Sequence, residues 1–274
     1  FVLFLLVYIV FLFYTFLNLD SKLVGHFKSV EQVNFHKKYS SKMHHIRDQF
    51  ALNLFYKKDD VEDLLFTRLN KPKTKKLTIL IQGDSWIDQI TFSNDKNFPS
   101  LKMLQNYGNE KKIEFISGGI ASYSPSLMNL QLEILEKEFN IFPDIIIVYI
   151  DQFDVGDENC RYKNKKIFEN EKLITVKPKS DGTFWDYTRP YELTKIFNSY
   201  NSKFFITLHT LNFELRYGLI ILVKKIINKF KNKTTECRMG KVQNYLINPK
   251  VDDINYFSST IINYLKEIKK KKTY

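Results

Sequence analysis

Leu77-Thr-Ile-Leu-Ile-Gln-Gly-Asp-Ser-Trp-Ile-Asp88 is an apolar, β-branched run that stops at Gly83-Asp84-Ser85. A run rich in Ile and Leu, with no regular polar alternation, reads as a parallel strand covered on both faces. The polar triplet then falls at the strand's carboxyl end, where open α/β sheets place their ligands. Gly83 tolerates the sharp turn there, and a helix starting near Ser85 aims its free N–H groups at an anion beside the hydroxyl. These are the surroundings a nucleophilic serine needs.

Working outward, Lys112-Ile-Glu-Phe-Ile-Ser117 reads as a second strand. It runs into Gly118-Gly119 and a polar loop to Ser126, and a strongly periodic helix follows to about Asn140. Pro143 to Ile150 is a third strand, again apolar throughout. Lys203-Phe-Phe-Ile-Thr-Leu208 is expected as a fourth, ending at His209, and Val242 to Ile247 as a short fifth before a final helix from Ser258 to Lys271. Between strands three and four, residues 161–190 read as an insertion, with a hairpin of Lys172–Lys177 and Thr183–Tyr187 turning at Ser180-Asp181-Gly182. Alternating strands and helices predict an α/β fold with a parallel, doubly wound sheet.

A Gly-Asp-Ser after a buried strand resembles the first block of the SGNH (GDSL-like) hydrolases, and later segments extend the resemblance over roughly residues 77–265. The resemblance implies a three-layer α/β/α, flavodoxin-like sheet and a serine hydrolase acting on an ester, an acyl or acetyl group of a surface carbohydrate or lipid. It makes Ser85 the nucleophile. The N–H groups of Ser85 and of Gly119, the second-block glycine, would form the oxyanion hole, which backbone donors at a close-approaching glycine suit. No cofactor and no metal is expected.

Two departures from the family pattern stand out. In the third block (G-x-N-D), Asp151 replaces the Gly and Phe153 the Asn, which leaves Gln152 as the nearby amide donor. Losing an oxyanion donor costs about 10²–10³ in rate. In the closing D-x-x-H, Asp253 fits the Asp but Tyr256 stands where the His belongs. A phenol, with a pKa of about 10, is no neutral-pH base. His209, predicted at the end of strand four, is then the substitute base, with Asp154, Asp157 or Asp253 to orient it.

Asp151-Gln-Phe-Asp-Val-Gly-Asp-Glu158 gathers four carboxylates at the presumed active edge. Such a loop either binds a divalent cation, hydrogen-bonds sugar hydroxyls or pairs with Arg161 and nearby lysines; the expectation adopted is no metal. Asp84, Asp151, Asp157 and Trp86 are expected on the substrate side, and Trp86 and Trp185 offer apolar faces for a sugar ring. His36, His44 and His45 lack metal-ligand spacing and read as solvated residues. Cys160 and Cys237 form either one disulfide or two separate thiols.

The 42 Lys and Arg against 30 Asp and Glu give a net charge of +12. The basic residues are scattered and no nucleic-acid motif accompanies them, so no nucleic-acid partner is expected. Phe1 to Leu17 is uncharged and apolar, at the short limit for a membrane span, and no small-residue cleavage site follows it. The chain opens without an initiator Met, so residues upstream are expected. The organisation predicted is a transmembrane anchor (1–18), a stalk (19–76) with a helix over Asp59–Leu69, an SGNH-like domain (77–268) and a basic tail (269–274). It describes a single-pass protein of a bacterial inner membrane with a periplasmic domain. The rival is a catalytically impaired relative that binds acylated glycan or assists envelope polysaccharide assembly.

Overall fold

The computed structural model describes residues 2–19, 27, 29–40, 43, 61–92, 99–177, 189–230, 237 and 239–271. The chain divides into two compact units, one of Phe1–Val33 with Asp181–Glu236, the other of Asn34–Ser180 with Cys237–Tyr274.

The second unit holds a mixed but mostly parallel sheet of β1 (Thr67–Arg68), β2 (Leu77–Gly83), β3 (Ile113–Gly119) and β4 (Ile145–Val148), ordered β1-β3-β2-β4. β2 pairs in parallel with β3, Gly83 opposite Gly119, and with β4, Gln82 opposite Val148, so three carboxyl ends share one edge. The Pro99–Lys111 helix sets Leu101 and Leu104 against Leu69, Ile79 and Phe115. The Pro125–Phe139 helix reaches the sheet through Gln131, whose amide donates to the carbonyls of Gly118 and Leu65. Gln82, the one amide in the apolar β2 run, is fully buried and therefore must be paired. It donates to the Met128 carbonyl and Gln131 Oε1 and accepts the Tyr264 hydroxyl, tying β2 to two helices.

Several expectations are corrected. Leu64, Leu65 and Phe66 are fully buried and β1 pairs antiparallel with β3, so the end of the expected stalk is core, and its helix is only a 3₁₀ turn over Val61–Leu64. His36 is no solvated residue: it is 4% exposed, and burial lowers its pKa to about 4, which keeps the ring neutral. His44 and His45 lie outside the described residues. Lys172–Val176 (β6) turns backward onto Lys166–Glu169 (β5). Asn170 and Glu171, with φ of 48° and 64°, supply the left-handed pair a two-residue hairpin needs. Thr183–Tyr187 lie outside the described residues.

The expected fourth strand is helix, part of Lys203–Phe230 in the first unit. Its buried residues, Ile206, Thr207, Thr210 and Leu211, recur at three- and four-residue spacing, and a short apolar run does not by itself separate strand from helix. With no strand beyond it among the described residues, β4 is an edge, and Ile145 and Ile147 are 43% and 48% exposed rather than covered. The expected fifth strand is also helix, Met239–Ile247.

In the first unit, Leu19, Leu193, Ile206 and Phe213 form a core, and the Tyr8 hydroxyl donates to Asn212 Oδ1 at 3.0 Å. Among the described residues no helix is long and apolar enough to cross a membrane. Val2–Leu17 has 16 residues. At about 1.5 Å per residue it falls short of a hydrocarbon core of about 30 Å.

Cys160 and Cys237, 77 residues apart, form a disulfide with a Cα–Cα distance of 5.6 Å. Both belong to the sheet-bearing unit, and the loop they close contains residues 181–236 of the other unit. Closing so long a loop restricts the unfolded chain. Replacing both cysteines by serine is expected to lower stability by about 2–5 kcal/mol, read as a shift in the urea midpoint.

Candidate active site

At the end of β2, Asp84 turns the chain into the Ser85–Phe92 helix as a capping aspartate does. Its Oδ1 accepts the Trp86 N–H at 2.9 Å, and its carbonyl accepts the Asp88 N–H at 3.0 Å. Ser85 is half-buried in the first turn of that helix. Past β4, Asp151 and Asp154 brace each other across a tight turn. Asp151 Oδ1 accepts the Phe153 N–H at 2.6 Å, and Asp154 Oδ2 accepts the Asp151 N–H at 3.0 Å. Carboxylate oxygens of Asp84, Asp151 and Asp154 all lie within 4.8 Å of one another.

So close a set of acids cannot all stay charged in a sheltered place. Burial raises the Asp154 pKa to about 9, with Asp151, Asp84 and Asp157 adding to the effect, so the group carries a proton at neutral pH. Burial likewise raises Asp157 to about 7 against the pull of Arg161, which pairs with it at 3.0 Å. Asp84 is also raised, chiefly by burial, while the Trp86 N–H and, least of all, a hydrogen bond from Ser85 favour its ionised form. The three oxygens are donors of the kind a hard divalent cation takes, and the proton on Asp154 relieves the same repulsion without one.

Ser85, Asp84, Asp151, Asp154 and Asp157 therefore converge at the carboxyl edge, as the sequence leads one to expect. Trp86, 57% exposed, and the exposed Gln152 flank it. Gly119 is there too: a Cβ on it would meet the backbone of Asp88 at 2.3 Å and of Ile87 at 2.5 Å. It lets the Ser85–Phe92 helix lie on the end of β3, which is a packing role.

Two expected placements are overturned. His209 stands inside the Lys203–Phe230 helix of the other unit, stacked on Tyr200 at 4.2 Å, so no strand end delivers it to Ser85. It lines a cleft of about 450 Å³ within that unit, beside Lys195 and Arg216. Asp253 and Tyr256 do not precede the last helix; that helix runs from Val251 to Lys271 and contains both. Asp252 and Asp253 in its first turn suit the positive end of the helix dipole, and Asp253 Oδ2 accepts the Lys250 N–H at 3.4 Å. Asp253 thus sits in the capping turn of that helix. His36 is the sole described histidine of the sheet-bearing unit. Its helix, Val30–Tyr39, packs through Phe35 on Phe139, at the end of the Pro125–Phe139 helix remote from this edge. Trp185 lies outside the described residues.

One residue escaped the sequence reading. Glu158, fully buried, accepts the Ser124 hydroxyl, the Ser126 N–H and the Ser126 hydroxyl, and pairs with Lys166 at 2.7 Å. Nothing in an acidic loop marks which of its carboxylates accepts hydrogen bonds from the two serines. No family model matches the chain, and neither a curated protein nor a solved structure does.

The proton on Asp154 fixes a sign. The folded state binds that proton up to a pH of about 9 and the unfolded state only up to its ordinary value of 3.8, so this group costs stability increasingly as pH rises between them. Asp154→Asn keeps an oxygen for the Asp151 N–H and removes the cost. The variant is expected to gain in melting temperature at pH 8 and to gain less at pH 5.

Proposed function

We propose that this chain is an SGNH-like serine esterase, on a flavodoxin-like scaffold, acting on an acyl or acetyl ester of a surface carbohydrate or lipid. In it a carboxylate, not an imidazole, takes the Ser85 proton. The observation that carries the reading is Ser85 placed next to Asp84 at the mouth of β2, with Asp151 and Asp154 carboxylate oxygens within 4.8 Å of that of Asp84. Ser85 Oγ attacks the ester carbonyl carbon and Asp84 accepts its proton. The tetrahedral intermediate collapses, the departing alkoxide takes that proton, and water then hydrolyses the acyl-serine. Asp154, a neutral acid in this setting, is a hydrogen-bond donor for the developing oxyanion. Exposed Gln152 is the other donor at the edge.

A second reading keeps the scaffold and drops the chemistry: an impaired relative that binds acylated glycan or assists polysaccharide assembly. It is favoured by Tyr256, which occupies the family's histidine position and lies inside a helix. In both readings the location is a bacterial envelope. The disulfide fits an oxidising compartment such as the periplasm, and the apolar Val2–Leu17 helix, with Leu6, Val10 and Phe13 more than half exposed, fits attachment to a membrane.

A fluorophosphonate probe separates the readings. The esterase reading expects labelling of the wild type that is lost in Ser85→Ala, strongly reduced in Asp84→Asn and unchanged in His209→Ala. Absence of labelling in folded wild-type protein favours the binder, and loss of labelling in His209→Ala overturns the carboxylate base.

A further inference from the structure

The sheet-bearing unit carries a cleft of about 610 Å³ between the start of the Pro125–Phe139 helix, the β5–β6 hairpin and the Val251–Lys271 helix. Its volume is in the range of about 300–1,000 Å³ typical of small-ligand sites. None of its lining residues belongs to the acidic edge. Five lysines line it, Lys163, Lys166, Lys172, Lys266 and Lys270, against two acids, Glu171 and Glu267.

Three of the five are neutralised by carboxylates: Lys166 by Glu158, Lys172 by Glu133 and Lys270 by Glu267. Among the described residues Lys163 and Lys266 have no carboxylate partner. Lys163 nonetheless converges with Lys166 on one ring: their ammonium groups lie 4.4 and 4.8 Å from the centroid of Tyr256. The ring's quadrupole attracts each of the two cations. Lys166 is already paired with Glu158, so the charge left for an outside anion is that of Lys163, together with Lys266 elsewhere on the lining. The remaining wall offers Asn129, Asn170, Asn263, Ser259 and Thr260, side chains that both donate and accept hydrogen bonds. That combination suits a ligand with many hydroxyls and at least one negative group.

We propose that this cleft binds an anionic sugar, its carboxylate or phosphate held by Lys163 and Lys266 and its hydroxyls by the asparagines and hydroxyls of the wall. The site stands independently of the esterase reading, since no residue of the acidic edge enters it. Uronate and sugar phosphate share the required chemistry, and the test separates them.

The test titrates the full chain calorimetrically with trigalacturonate, with glucose 1-phosphate and with neutral maltotriose. Saturable binding of either anionic sugar, and none of maltotriose, is expected; which anion binds identifies the source. Lys163→Gln with Lys266→Gln is expected to weaken that binding about tenfold, while Lys73→Gln with Lys76→Gln, exposed lysines elsewhere, leaves it unchanged. Equal binding of maltotriose, no binding of either anion, or the same loss in both lysine pairs overturns the proposal. Unchanged urea midpoints in both pairs show that the variants are folded.

Discussion

The buried carboxylate of Glu158 is the constraint on which both ends of this molecule's charge pattern depend. It takes hydrogen bonds from Ser124 and Ser126 at the start of the Pro125–Phe139 helix and an ion pair from Lys166 at the start of β5. An acid with no contact to water persists only where its oxygens are satisfied, and here one side chain does it with groups from two elements. The π-helical turn Asp157–Tyr162 is thereby fixed to the helix beside it and to the hairpin that follows. Arg161 and Tyr162 complete the attachment by donating to the Ser122 hydroxyl and carbonyl.

From that anchor the chain runs in two directions with opposite chemistry. Upstream lie Asp151, Asp154 and Asp157 near Asp84 at the mouth of β2, where burial raises the pKa values of Asp154 and Asp157. Downstream lie Lys163, Lys166 and Lys172, turned toward the helix that carries Tyr256. A net charge of +12 is therefore a poor guide to this unit, since its acidic edge and its basic cleft differ in sign. The acidic edge is suited to proton transfer at a hydroxyl, and the basic cleft to holding an anion.

Much of the sheet was legible because its strands are long, apolar and bounded by glycine. β2 and β3 stand where the runs ending in Gly83 and Gly119 put them, and Ser85 sits at the tip expected of it. Lys203–Leu208 misled because the five apolar and β-branched residues after Lys203 satisfy strand and helix alike; only the continuation to Phe230 settles the period. β1 has two residues, too few to leave a pattern. The β5–β6 hairpin went unread because Asn170-Glu171 is a weaker turn signal than Ser180-Asp181-Gly182, which lies outside the described residues. The histidine assignment rested wholly on that mistaken strand. Glu158 left no trace at all, since its partners come from two other elements.

The most direct measurement of the claim made for Glu158 is a double-mutant cycle with Lys166, using Glu158→Gln, Lys166→Met and the pair, each followed by urea unfolding. The buried pair predicts a coupling of about 2–3 kcal/mol, with each single variant costing more than the double variant implies by addition. Additive effects, with a coupling near zero, would contradict it and would leave the acidic edge and the basic cleft without a common support.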